Sequence, residues 1–173
     1  MGSRRTGSLI GAIAGLIFIV VNAGPLGGAV AAVVRVLGVA GFGAAIWYIM
    51  RRPADDARRP DRRALRIYWL AVAAEVLAIV VGAQVLARGF HQADLTVLWV
   101  VFVVGVHFLP FAATFGAPLF RWLAWSLIVL AIAGAGLSAV LSTAPSWTGV
   151  AAGVVLLGFA VAGARRGGTA PAR

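Results

Sequence analysis

The sequence predicts an all-α, polytopic transmembrane bundle of six spans, with both termini on the cytoplasmic side. Three observations carry this. The 173 residues are 62% hydrophobic with a mean hydropathy of +0.99, against about 45–50% apolar for a soluble domain. The 12% that are charged fall in clumps, leaving long apolar runs between them. And the arginines are distributed unequally between alternate ends of those runs.

Six apolar segments run over 8–23, 27–50, 67–87, 95–113, 119–142 and 147–164. A helix rises 1.5 Å per residue, so about 20 residues cross a hydrocarbon layer of ~30 Å. The second, third and fifth segments are long enough outright. The first, fourth and sixth span with little tilt or with flanking residues reaching outward. The runs are continuous and do not alternate, which excludes membrane strands. The breaks carry turn chemistry: NAGPLGG (22–28), RRPADDARRPDRR (51–63), RGFHQAD (88–94), FGAP (115–118) and TAPS (143–146). Short connections predict three helical hairpins in a single domain, residues 1–173, with a cytoplasmic Arg-rich loop at 51–66.

Basic residues accumulate on the inner side of a membrane. With the N-terminus inside, that side receives Arg4, Arg5, Arg51, Arg52, Arg58, Arg59, Arg62, Arg63, Arg66, Arg121, Arg165, Arg166 and Arg173; the outer side receives Arg88, and Arg35 lies within a span. The same asymmetry accounts for the net charge of +10 without nucleic acid. Trp47, Tyr48, Tyr68, Trp69, Trp122 and Trp125 fall near the inner interface and Trp147 near the outer one, depths that amphipathic rings prefer. Residues 1–23 also resemble a secretory signal ending at Ala23. The four-residue spacing of Gly7, Gly11 and Gly15 favours a retained helix that packs. Gly134/Ser138/Ser142 and Gly149/Gly153 have the same small-xxx-small spacing. AGPL (23–26) and GAPL (116–119) would occupy corresponding turns if the chain were a three-plus-three inverted repeat, but four residues rich in Ala and Gly do not establish one.

The chain lacks Cys, which excludes disulfides and thiolate metal sites. One Glu and two His are too few for a metal centre, and two His support no haem. Neither a Ser–His–Asp arrangement nor a phosphate loop is present. No catalytic residue, cofactor or metal is expected.

Ionisable residues inside a span are costly and face partners. Glu75, the one glutamate, lies in YWLAVAAEVLAIVVGAQVLA (68–87). Its helical stripe, Tyr68, Ala71, Glu75, Ala78 and Gly82, is smaller than the rest of the helix and points inward. Counting 1.5 Å per residue from the inner end puts Glu75 ~12 Å deep and His107, on the returning segment, ~10 Å deep. The two can face a common interior, where their titration belongs to the pair. Pro110 withholds an N–H from the Val106 carbonyl, so the helix should bend beside His107. Arg35, on the stripe Gly28, Ala31, Arg35, Gly38 and Phe42, either joins Glu75 and His107 or reaches outward toward Asp94 and water. A proton or ligand site and a hydrogen bond that locks two helices are the two readings of the pair. Arg51, Arg52, Arg58, Arg59, Arg62 and Arg63 are candidates for anionic lipid headgroups.

YWLAVAAEVLA (68–78), VVGVHFLPFA (103–112) and APLFRWL (117–123) resemble small six-span membrane proteins of high-GC bacteria. That resemblance implies the fold and a bacterial inner membrane, and no particular activity. YWLAVAAEV (68–76) is also similar to the first helix of small multidrug-resistance exporters, in which such a glutamate binds protons and cationic drugs. Those exporters have four helices, and the glutamate lies in their first; here it lies in the third, so Glu75 alone inherits a role. Two functions are expected from different classes. One is a small proton-linked transporter or channel. The other is a non-catalytic membrane protein that binds a partner, a second copy or anionic lipid.

Overall fold

The computed structural model describes residues 3–52, 62–115 and 118–165. Its long elements are all helices: α1 (Ser3–Ala23), α2 (Gly28–Arg51), α3 (Arg62–Gln84), α4 (Thr96–Phe115), α5 (Pro118–Leu137) and α6 (Ala144–Arg165). Each includes a stretch long and apolar enough to cross a membrane, and the protein is a multi-pass membrane protein of six spans. The chain divides into two compact units: residues 1–59 with 152–173, and residues 60–151. The division falls inside α6, which contributes to both.

In the first unit, α1 and α2 form a hairpin. The connection is a 3-10 turn, Gly24–Leu26, followed by Gly27 and Gly28 at φ 73° and 44°. Two successive positive φ values are accessible to glycine at little cost, which is why NAGPLGG ends one helix and starts another. The buried positions of α2 are Ala31, Gly38, Ala45 and Ile49, spaced seven, seven and four residues apart, which keeps one face on its neighbours. A Cβ on Gly38 would lie 2.5 Å from Ile19 Cγ2 of α1. Against α6, Gly15 and Gly153 meet backbone to backbone: a Cβ on Gly15 would lie 2.7 Å from the Gly153 carbonyl oxygen, and one on Gly153 would lie 2.5 Å from that of Gly15. Ala12, Ile19, Ala45, Ile49, Leu157 and Ala160 form the core around this crossing. Gly11 stands over Ala160, whereas Gly7 faces open space. The repeat Gly7/Gly11/Gly15 is therefore used at two of its three positions.

In the second unit, α4 lies between α3 and α5. Gly105 lets α4 settle on α5, since a Cβ there would stand 2.9 Å from Ile128 Cγ1 and 3.1 Å from the Ala124 carbonyl. Val101, Ala124, Leu127 and Ala131 are buried in this region. The helix α5 stops at Leu137, five residues short of the end of the apolar run at 142. There the backbone tightens into three-residue turns, with Ala139 N–H donating to the Gly136 carbonyl at 3.4 Å and Val140 N–H to the Leu137 carbonyl at 3.1 Å. Ser142 thus lies outside the helix, and Gly134/Ser138/Ser142 is not one packing stripe. Gly134 by itself accommodates Thr148 and Leu98.

None of the described residues of α3 is fully buried; one side packs on α4 and the remainder carries exposed Leu70, Val76, Leu77, Val80 and Val81. In water this would be untenable, but lipid tails satisfy such a surface. The contact with α4 is specific. Trp99 Nε1–H donates to the Ala78 carbonyl at 2.9 Å, and its indole fills the space where Gly82 has no side chain. Gly82→Ala is expected to force the indole out and lower stability by roughly 1–3 kcal/mol, the usual cost of overpacking. A thermal unfolding midpoint unchanged by this substitution would show that Trp99 does not occupy that position. The end of α3 widens into a π-helical turn, Val85–Gly89, and His91 adopts φ 54° before α4 begins.

Within the first unit, the start of α1 meets the ends of α2 and α6: Arg5 donates to the Met50 carbonyl, and Arg165 lies over Tyr48. Within the second, the start of α3 meets the end of α4: Tyr68 stacks on Phe111. In each unit the helix ends assigned to the inner side by the arginines lie together.

Candidate intramembrane proton site

The stripe Tyr68, Ala71, Glu75, Ala78 and Gly82 is the face that α3 turns to α4. It does so because its small members let the helices approach while the larger Leu, Ile and Val side chains cover the opposite side. Along it, Tyr68 meets Phe111, Ala71 and Glu75 meet His107, and Ala78 and Gly82 meet Trp99. The antiparallel run of α4 sets this order.

His107 Nδ1 lies 3.4 Å from Glu75 Oε2 and 3.3 Å from the Ala71 carbonyl oxygen. A backbone carbonyl only accepts hydrogen bonds, so the Ala71 contact is made by the tautomer that carries its proton on Nδ1. The side chains are 8% exposed for His107 and 19% for Glu75, so the carboxyl is the more accessible of the two. Ala71 also serves the helix, its carbonyl standing four residues before the Glu75 N–H. The backbone of α3 thereby orients the imidazole that faces its own carboxylate.

Aromatic rings pack around the imidazole, a feature the Glu75 stripe alone does not predict. Phe111 stands edge to face against His107, centroids 4.5 Å apart, and Phe108 does so at 5.5 Å. Phe120 of α5 stacks on Phe108 at 5.8 Å, and Tyr68 stacks on Phe111 at 5.5 Å. The signal was available in HFLPF (107–111), which places Phe108 and Phe111 one and four residues after His107 on one side of a helix. These rings help to keep the imidazole only 8% exposed. Pro110 sits inside α4, one turn from His107. It leaves the Val106 carbonyl without its helical donor, and α4 nonetheless continues to Phe115.

Arg35 makes a backbone contact within its own unit. In the first unit, its Nε donates to the Val20 carbonyl at 3.2 Å, and Gly24 leaves room for the guanidinium, where a Cβ would stand 3.1 Å from it. Val20 is among the last four residues of α1, whose carbonyls lack helical partners and carry the negative end of the dipole. Arg35 thus caps the end of α1, where unsatisfied carbonyl acceptors lie within reach of a residue near the start of α2.

Of the headgroup candidates, Arg51, Arg52 and Arg62 are exposed, while Arg58 and Arg59 lie outside the described residues, as does the side chain of Arg63. Among the described residues no cluster of three His, Cys, Asp or Glu is present.

Fold and site together define a class: a six-span α-helical membrane protein with an ionisable pair between two helices, its imidazole packed against aromatic rings. No protein-family model, curated protein or solved structure matches the chain, so its function is read from its own residues.

Proposed function

We propose that the Glu75–His107 pair binds and releases protons within the membrane, and that the protein is a small proton-linked transporter or channel of the bacterial inner membrane. The observation that carries this reading is the 3.4 Å approach of a carboxylate to an imidazole on facing helices, in a setting where an ionisable group costs several kcal/mol unless it is used or paired. The two groups hold one or two protons between them, depending on the load of the pair. Glu75 is the accessible member and exchanges first. As His107 Nε2 takes up a proton, Nδ1 passes its own across the 3.4 Å approach to Glu75 Oε2, and the reverse step returns it. No catalytic chemistry is involved; the pair changes charge, and the contact between α3 and α4 responds.

The test is flux in proteoliposomes holding the purified protein and a pH-sensitive dye, across a panel of small cations. Glu75→Gln and His107→Ala are each expected to reduce proton release at least tenfold while the protein remains folded. Unchanged flux in both variants would leave the pair as a structural lock between two helices.

A further inference from the structure

Three helix ends meet in the first unit, and each brings arginine. Arg52, just past α2, places its guanidinium carbon 4.7 Å from the centre of the Tyr48 ring and donates to the Tyr48 hydroxyl. Arg165, at the end of α6, stands 5.5 Å from the same ring. Arg51 lies 4.0 Å over Trp47. Arg5, from α1, donates to the Met50 carbonyl at 3.3 Å, at the end of α2 where carbonyls lack partners. Among the described residues, none of the four is paired with a carboxylate.

We infer that this junction is a binding site for the phosphate headgroup of an anionic lipid, with Tyr48 as its floor and Arg52 and Arg165 as its clamp. Like charges gathered on one ring repel each other, and an anion between them removes the repulsion. Each guanidinium has five N–H donors in a planar fork. The described contacts use few of them, so the remaining edges are free to hold phosphate oxygens bidentately. Stacking on Tyr48 fixes the plane of the fork beforehand, so less freedom is lost on binding. The location selects the source of the phosphate. These are helix ends on the arginine-rich inner side, and Trp47, 57% exposed, marks the interfacial depth at which lipid phosphates lie. The site differs from the loop 51–63 in kind: it is assembled from α1, α2 and α6, and it includes Arg5 and Arg165. It is independent of the proton site.

Native mass spectrometry of the full chain in detergent, with added phosphatidylglycerol or phosphatidylcholine, tests it. Wild-type protein is expected to retain phosphatidylglycerol in preference. Arg52→Gln with Arg165→Gln should lower that preference at least tenfold. Arg52→Lys with Arg165→Lys, which keeps the charge but loses the fork, should lower it severalfold at an unchanged unfolding midpoint. Arg88→Gln, on the side assigned as outer, should leave it intact. The inference is overturned if the double glutamine variant keeps the preference, or if Arg88→Gln erodes it equally. It is overturned as well if millimolar inorganic phosphate displaces the lipid, which would make free phosphate the ligand.

Discussion

Gly153→Leu is expected to separate α1 from α6 and to unfold the first unit at temperatures where the wild-type protein is intact. The reason is the closeness of two backbones. Even a methyl group on Gly153 would lie 2.5 Å from the Gly15 carbonyl oxygen, 2.6 Å from Ile19 Cγ1 and 3.0 Å from the Ile19 nitrogen. A flexible side chain could turn aside, but a carbonyl held in a helix cannot. The helices must move apart, and the core of Ala12, Ile19, Leu157 and Ala160 opens with them. Overpacking costs roughly 1–3 kcal/mol, and even Gly153→Ala should reach the upper end; leucine should exceed it. Lipid supplies little drive to bring apolar helices together, so close backbone approach is a main source of cohesion. Gly7→Leu is the control: nothing lies within 4 Å of its would-be Cβ, and its unfolding midpoint should match wild type. Equal midpoints for the Gly7 and Gly153 variants would refute the crossing.

A double-mutant cycle on Glu75 and His107 is expected to give a coupling energy of about 2 kcal/mol at neutral pH. Magnitude decides between the two readings of the pair. Neutral hydrogen bonds between membrane helices average ~0.6 kcal/mol. Removing one partner from a buried ion pair costs roughly 3–5 kcal/mol, because the other charge is stranded. Glu75 is 19% exposed, which reduces that figure toward the middle of the range seen for contacting residues. The cycle uses Glu75→Gln, which keeps shape and a hydrogen-bonding oxygen, with His107→Ala. Thermal or denaturant unfolding in a fixed detergent supplies each corner. A coupling near 0.6 kcal/mol that ignores pH would describe two neutral groups holding helices together.

Much of this arrangement was legible in the residues. Runs of apolar sequence cut by RRPADDARRPDRR and NAGPLGG define spans and turns because backbone in lipid must satisfy itself. The Glu75 stripe was legible for a narrower reason. Its members are small where the rest of α3 is large, and rise per residue converts position into depth. Arg35 was not legible, since its partner is a backbone carbonyl of α1, and any helix end offers one. Nor was the difference between Gly7 and Gly15, which share a spacing and differ only in what stands opposite. In water, apolar periodicity separates inside from outside. In lipid both faces of α2 are apolar, so of the buried set Ala31, Gly38, Ala45 and Ile49 the first three are marked only by small size and Ile49 by nothing in the sequence. The end of α5 at Leu137 was hidden because hydropathy continues to 142 while the helix does not.

Nitrogen-15 NMR of His107 in bilayers, followed over pH in the wild-type protein and in Glu75→Gln, addresses the pair most directly. His91, in the loop before α4, provides an internal reference that should titrate identically in both. For a shared proton site, the His107 curve moves when the carboxylate becomes an amide, and the wild-type curve departs from a single simple step. Superimposable His107 curves in the two proteins would contradict it.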